Sequence, residues 1–399
     1  MAHTVCHIIT KLELGGAQQN TLFTVSHLDQ ARFRPILIAG EAGPLDGEAR
    51  ALAGVEFHQV FSLVRELRPL SDLRALLALT LLLRRLRPVI VHTHGSKAGI
   101  LGRLAAWLAG VPVIIHSIHG FGFTRYQSWP VRRTLVALEG LAARLTTRFF
   151  AVSEANRQLG VELGFFPDDR CAVIRSGVDL AAIRRTGVDT VAKKRELGLE
   201  PGRPVVGMVA PMKPQKAPLD FVRVAARVAA KKPGTQFLFV GDGELRGAME
   251  EEITRLGLVK SFRLAGWRRD VPAIMRCLDI FVLTSLWEGL PRVYLEALAS
   301  GVPVVGTRVD GAAEVVRDGV NGYLLAPGDV PGLADRVLAL LGNPTLAADM
   351  GRRGAALPPE FDIHDMVSRQ EEEYERLLAA MKARNSLSEA ESCVTQTGR

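Results

Sequence analysis

TSLWEGLPRVYLEALASGVPVVGTRVDGAAEVV, residues 284–316, decides the fold. It reads as the end of a strand, a tight loop, a helix, a second strand and another loop. Glu288 falls in the first loop, followed by Gly289 and Leu290. Pro291 fits the first turn of the helix, where its missing N–H costs nothing, and Glu296 lies one to two turns inside. The backbone amides near Gly289 therefore sit at a helix start, a natural site for phosphate or another anion. Two carboxylates frame that site. The pattern suits a ligand with hydroxyl groups at both ends and phosphate between them.

Around this stretch the second half of the chain repeats the same alternation. VVGMVAP (205–211), TQFLFVGDG (235–243), FRLAGW (262–267), IFVLTS (280–285), PVVGT (303–307) and GYLL (322–325) read as strands separated by amphipathic helices. The first half does likewise, with VCHII (5–9), RPILIAG (34–40), VIVHTH (89–94), VPVIIHSIH (111–119) and RFFAVS (148–153). Val- and Ile-rich strands alternating with helices predict α/β architecture with parallel sheets covered on both faces. The stretch 178–204 breaks the pattern and reads as a linker. The expected organisation is an N-terminal Rossmann-like domain at 1–177, this linker, and a second such domain at 205–360. A helix at about 361–384 follows, and the polar tail 385–399 reads as disordered.

Length and composition agree. At 399 residues the chain exceeds one ordinary core, and 48% hydrophobic with 23% charged residues is typical of a globular protein. The four cysteines, Cys6, Cys171, Cys277 and Cys393, form no CxxC or metal-ligand spacing and read as reduced thiols of a cytoplasmic protein. No signal peptide is evident, and the most apolar run, Leu76–Leu83, is too short to span a bilayer. The net charge of +8 permits attraction to diphosphates or anionic lipid headgroups. Aromatic residues are sparse and no nucleic-acid recognition motif is present, so no nucleic-acid partner is expected.

Several candidate sites follow from residue chemistry. Gly15-Gly16-Ala17 comes after the first strand and opens a helix, allowing close backbone approach to a ligand; a plain tight turn is the bland alternative. His92 and His94 end one strand, and His116 and His119 end the next. An HxH of this kind could bind metal, but no carboxylate completes a ligand set and no DxD follows, so no metal is expected. His92 and His116 read as strand packing. FLFVGDGELRG (237–247) looks like a dinucleotide fingerprint, but its spacing is GxGxxxG and no well-placed acid follows the next strand.

EGLPRVYLEALASGVPVV (288–305) followed by GAAEVVRDGVNGYLLAPGD (311–329) resembles the C-terminal signature of the retaining glycosyltransferases of family 4. HTHGSKAGILGRLAAWLAGVPVIIHSIHGFGF (92–123) resembles those that build bacterial capsule, exopolysaccharide and other surface glycans. The resemblance implies the GT-B fold: two doubly wound Rossmann-like domains facing a central cleft, with the last helix crossing back onto the first domain. It also implies a metal-independent, cofactor-free transfer from a nucleotide-diphosphate sugar, taken as UDP-linked, to a glycan or polyprenyl-diphosphate-linked acceptor. Glu288 then meets donor-sugar hydroxyls and Glu296 the ribose. Lys216, with Lys213 as a second cation, faces the diphosphate, helped by the amides of Gly16, Gly289 and Leu290. Gly241 and Gly243 form the family's GDG turn, and backbone around Trp267 reads the base. His119 faces the reacting sugar, while Gly15, His94 and Lys97 belong to the acceptor side.

The match is incomplete. In the family pattern GRLxxxKG, Pro211 stands at the arginine and Ala217 at the final glycine, and Ser176 replaces the asparagine of NGVD. Arg84, Arg85, Arg87, Arg132 and Arg133 suit peripheral contact with an anionic inner membrane face. Two rival functions fit the same fold. One is a non-transferring enzyme of the nucleotide-sugar 2-epimerase type, against which the EGLPxxxxE element argues. The other is a non-catalytic sugar-nucleotide-binding protein, which Pro211 keeps open.

Overall fold

The computed structural model describes residues 2–397, apart from the side chains of 384, 385 and 387–397. Residues up to Ser176, with the chain from Ile363 onward, form one compact unit; Gly177–Asp362 form the other.

The first unit holds seven strands: β1 (His3–Ile9), β2 (Phe33–Ala39), β3 (Glu56–Gln59), β4 (Ile90–His94), β5 (Val113–Ile118), β6 (Arg148–Ala151) and β7 (Cys171–Val173). Their order is β3-β2-β1-β4-β5-β6-β7. Every pairing is parallel. The second unit holds β8 (Val205–Val209), β9 (Gln236–Val240), β10 (Phe262–Leu264), β11 (Ile280–Leu283), β12 (Val304–Thr307) and β13 (Gly322–Leu325). These run β10-β9-β8-β11-β12-β13, again all parallel. The order reverses between β1 and β4 in one sheet and between β8 and β11 in the other. Loops leaving the carboxyl ends of those neighbours splay to opposite sides, which opens a crevice where ligands bind such sheets.

Local chemistry accounts for the helices. The helix Pro218–Lys231 has Pro at its start, Asp220 in the first turn and Lys231 in the last, and buries Phe221, Val224, Ala225 and Val228 along one stripe. Ser153, Asp179, Asp189 and Asp329 cap four other helices through their side chains. The helix Ser96–Leu108 packs closely because Gly99 leaves room for His116, whose Cε1 lies 2.6 Å from where a Cβ would stand. The same helix carries Arg103, fully buried, whose guanidinium donates to Glu139 at 2.7 Å and to Gly99 O at 2.7 Å.

Four expectations change. The short strands β3 and β7, of four and three residues, are additional to those read from the sequence. The stretch 178–204 is not a bare linker: it forms the helices Leu180–Arg185 and Thr190–Glu196 and belongs to the second unit. Pro291 precedes the helix Arg292–Ala299 as its N-cap, because its ψ of 96° is extended. The last helix runs Ile363–Thr397, so residues 385–397 are helical; no glycine or proline interrupts them. Gly398 and Arg399 lie outside the described residues. This helix packs in the first unit through Met366, Val367, Tyr374 and Leu378, against Val5, Phe33, Ile90, Ile115 and Phe150. Arg148 donates to Glu373 at 2.9 Å, and Glu371 accepts from the amide of Asp29 at 2.6 Å.

Candidate active site

In the second unit the loops after β8 and β11 meet at the sheet's reversal point. Lys216 ends a single 3₁₀ turn, Pro214–Lys216, and Glu288 lies five residues beyond β11. The Lys216 ammonium donates to Glu288 Oε1 at 2.5 Å, and Ser285 Oγ donates to the same oxygen at 2.6 Å. Glu288 is only 8% exposed, so the pair stands in a setting of reduced dielectric where its attraction is strong. Both bonds fall on Oε1, leaving the second oxygen with capacity to accept from a hydroxyl group.

Neighbouring bonds lock the two loops. Leu286 N donates to Gln215 O at 2.8 Å, Gln215 Nε2 to Trp287 O at 2.9 Å, and Thr284 Oγ1 to Lys216 O and Ala217 O at 2.9 Å each. Asp310 Oδ2 accepts from the amide of Glu288 at 2.7 Å, and the amide of Gly311 donates to Gly289 O at 3.0 Å. Burial raises the Asp310 carboxyl above its usual range, opposed by the bond from Glu288 N. Glu296 shares a helix face with Arg292 one turn earlier; burial raises its carboxyl, and the Arg292 charge works the other way. Arg292 Nε in turn donates to Gly177 O at 2.9 Å. Gly289 and Leu290 are buried between these fixed points.

The remaining donor-side residues are placed as follows. Gly241 has φ 135°, and a Cβ there would stand 1.9 Å from Ala210 O; Gly243 has φ 152° and approaches Met212 O. Both glycines thus serve a close approach between the loops after β8 and β9. Gly247 has open space around it, unlike the third glycine of a dinucleotide fingerprint, which packs helix against strand. Trp267 is 48% exposed beyond β10, and Arg268 beside it is held by Asp270 at 2.8 Å and by Glu196. Lys213 caps the turn that carries Lys216, its own amide donating to Pro211 O at 2.8 Å.

In the first unit Gly15 is the extended N-cap of the helix Gly16–His27 after β1. His94 and His119, singled out by the sequence, do meet: His94 Nδ1 lies 3.1 Å from His119 Nε2. Lys97 lies in the first turn of the helix Ser96–Leu108. Its ammonium donates to Asp72 at 2.6 Å and to Glu66 O at 2.9 Å, tying down the start of the helix Pro69–Leu86. His92 is fully buried on β4, where Nδ1 lies 2.6 Å from Tyr374 Oη and Nε2 lies 2.7 Å from Ser117 Oγ. His116 contacts Thr93 Oγ1 at 2.9 Å and lies 3.9 Å from Glu139.

Sequence reasoning missed His7, 3.0 Å from His94 Nε2 through its Nδ1, and Tyr374. A histidine inside the apolar run VCHII was a usable signal for the first; nothing local marks a tyrosine 282 residues from its partner His92. It also missed Asn20 and Gln370, which line a small pocket with His94, Ser117, His119 and Ser176. Both amide atoms of Asn20 and Oε1 of Gln370 are buried there without a hydrogen-bond partner. Burial holds His7, His92, His94 and His116 below the usual imidazole range, His7 at about 3. Ring nitrogens of His7, His92 and His94 lie within 4.8 Å of one another, close enough to share an ion, although every ring is already engaged in hydrogen bonds. The three described cysteines are buried and unpaired, and burial pushes the Cys171 thiol up to about 12.

Two doubly wound units, with a carboxylate–lysine pair at one reversal point and a histidine cluster at the other, define a GT-B glycosyltransferase. The comparisons with known proteins agree. Residues 14–182 match the model described as Glycosyltransferase Family 4, and residues 203–343 that described as Glycosyl transferases group 1. An Escherichia coli UDP-Gal:alpha-D-GlcNAc-diphosphoundecaprenol alpha-1,3-galactosyltransferase is 34% identical over 82% of this chain and 84% of its own. The 2-deoxystreptamine glucosyltransferase of Streptomyces kanamyceticus is 30% identical over 72% of this chain and 77% of its own. Among solved structures, Anabaena HepE in complex with UDP and glucose superposes with a TM-score of 0.80 at 22% identity, covering 94% of this chain and all of that one. The chain belongs to the family 4, or group 1, glycosyltransferases.

Proposed function

We propose that this glycosyltransferase moves a sugar from a UDP-linked donor to a lipid-linked or glycan acceptor in bacterial surface polysaccharide synthesis, with retention at the anomeric carbon and without metal. The observation that carries the reading is Glu288 held against Lys216 at the β8–β11 reversal point, with Glu296 on the helix that follows. Glu288 binds donor-sugar hydroxyls, and Glu296 binds the ribose, each as a charge-assisted acceptor. Lys216 and Lys213, with the amides of Gly16, Gly289 and Leu290, stabilise the diphosphate as it leaves. His119 hydrogen-bonds the reacting sugar. The leaving phosphate oxygen takes the acceptor's proton on the same face, so no separate protein base is required.

A lipid-linked acceptor is supported by the Escherichia coli relative, whose acceptor is a diphosphoundecaprenol, and by one exposed surface. Leu70, Leu73, Leu77 and Leu81 recur at helical spacing on Pro69–Leu86 and are 55–76% exposed. Arg74, Arg84, Arg85 and Arg87 are exposed beside them. An apolar stripe edged by arginines fits the boundary of an anionic bilayer. The contact proposed is peripheral; among the described residues no helix is long and apolar enough to cross a membrane.

The test is a panel of nucleotide sugars assayed with and without polyprenyl-diphosphate-linked acceptors, in the presence of EDTA. Transfer that needs the acceptor, survives chelation and yields the donor's anomeric configuration by NMR is expected. Donor turnover without any acceptor would instead identify an epimerase-type enzyme, and binding without turnover a non-catalytic protein.

A further inference from the structure

We propose that Asn20 and Gln370 form a subsite that selects the acceptor by one of its hydroxyl groups, other than the one that reacts. The inference rests on the reading that the first unit receives a sugar-bearing acceptor near His94.

The pocket these residues line lies wholly within the first unit, at the carboxyl ends of β4 to β7, where ligands bind such sheets. The helix Gly16–His27 brings Asn20 to it, and the last helix brings Gln370. Asn20 is 3% exposed and Gln370 6%. Neither Oδ1 nor Nδ2 of Asn20, nor Oε1 of Gln370, has a hydrogen-bond partner in the protein. Neighbouring polar groups are engaged elsewhere. Thr21 Oγ1 donates to Ala17 O at 2.8 Å, Ser117 Oγ lies 2.7 Å from His92, and the His94 ring nitrogens lie 3.0 and 3.1 Å from other histidines. The demand for a partner therefore concentrates on two amides from opposite ends of the chain. Burying such atoms unpaired costs stability, which a ligand that pairs them returns as binding.

The size of the space selects the ligand group. It is about 10 Å³, room for one water-sized group. A hydroxyl has that size and both polarities: it accepts from an amide N–H and donates to an amide oxygen. A phosphate or an acetamido group is too large. Phe150 and Met366 supply apolar wall, so the two amides carry the polar recognition. The lining is buried except at His119, which is partly exposed, so the pocket opens beside that ring. A sugar ring held outside reaches in with a single substituent. An acceptor lacking that hydroxyl leaves the amides unpaired, which is the condition for strong discrimination.

The test crosses acceptor with protein. The full chain is assayed with N-acetylglucosaminyl-diphosphoundecaprenol and its 3-, 4- and 6-deoxy derivatives. Removing one non-reacting hydroxyl is expected to lower the acceptor kcat/KM about 10- to 100-fold in the wild type. In the double variant Asn20→Leu, Gln370→Met the same removal should matter less than about twofold, because the partners are gone. Ser176→Asn, whose longer side chain fills the space from its wall, should behave alike, and the donor KM should stay unchanged in both. Without ligand, the double variant should melt no lower than the wild type, since it removes unmet polar atoms. Equal deoxy penalties in wild type and variants, or no penalty at any non-reacting position, would overturn the subsite. So would a clear fall in the melting temperature of the double variant, because the amides would then hold a water for stability alone. Failure of the wild type to use any lipid-linked acceptor would refute the acceptor reading instead. The pocket is then judged by nitrogen-15 NMR of the Asn20 and Gln370 side-chain amides against a panel of methyl glycosides: a shift with one of them is expected, and none with any would overturn it.

Discussion

Ala217 adopts φ 42° and ψ 53°, a left-handed conformation that costs a residue with a Cβ about 1 kcal/mol. It stands where the family pattern carries glycine, so the departure seen in the sequence is an actual strain in the turn carrying Lys216. Ala217→Gly is expected to raise stability by about 1 kcal/mol in denaturant melts with turnover unchanged; a loss of stability would mean that the strain is absent. The two glutamates should separate in kinetics. Glu296→Ala is expected to weaken nucleotide binding about 10- to 100-fold, the value of a charge-assisted hydrogen bond. Glu288→Ala should chiefly lower kcat, by about 100-fold. Calorimetry with UDP and steady-state assays distinguish them, and wild-type kinetics in both variants would remove these residues from the site. Asp310 was visible only as part of a loop–helix corner; its bond to Glu288 N depends on a φ of 36° that no local pattern announces.

At the scale of elements, the helix Pro69–Leu86 shows how sequence and packing divide the work. Its Pro69 start, Asp72 in the first turn and Arg84 and Arg85 in the last are legible as helix signals. Its leucines look alike in the sequence, yet Leu79 and Leu83 are buried while Leu70, Leu73, Leu77 and Leu81 are exposed. Which leucines face the core depends on where the sheet and the helix Ser96–Leu108 lie. The paired substitution Leu73→Glu, Leu77→Glu should reduce sedimentation with phosphatidylglycerol vesicles at low salt by at least about 10-fold, with an unaltered melting temperature. Unchanged sedimentation would place membrane contact elsewhere or nowhere. The arginines alone suggested the proposed membrane-facing surface; the structure shows exposed leucines on the same helix.

For the whole molecule, the buried histidines set a pH dependence. His7, His92, His94 and His116 have folded-state values below 6.5 because burial disfavours the charged ring. Below pH 6.5 the unfolded chain binds protons that the folded chain refuses. Their stabilising effect is therefore complete above pH 6.5 and declines as pH falls, by up to about 1.4 kcal/mol per pH unit for each ring. Burial of Glu296 and Asp310 acts in the opposite sense, but two carboxyls oppose four imidazoles. The melting temperature is expected to drop clearly between pH 7 and pH 5, and a flat profile would show that these rings are solvated or already charged.

Legible in the sequence were the two runs of parallel strands, the loop and helix that carry Glu288 and Glu296, the lysine-bearing turn, and the successive strands that end near His94 and His119. These are encoded by local patterns: hydrophobic period, glycine and proline at turns, and a carboxylate spaced along one helix. Tertiary packing, by contrast, folds the stretch 178–204 into the second unit, turns Lys97 to Asp72, and brings Lys216 and Ser285 to one oxygen of Glu288. It alone brought His7 and Tyr374 to His94 and His92. The physical reason is that hydrogen-bond polarity, burial and desolvation depend on side chains meeting across the sheet, and residues hundreds of positions apart leave no local trace of that meeting.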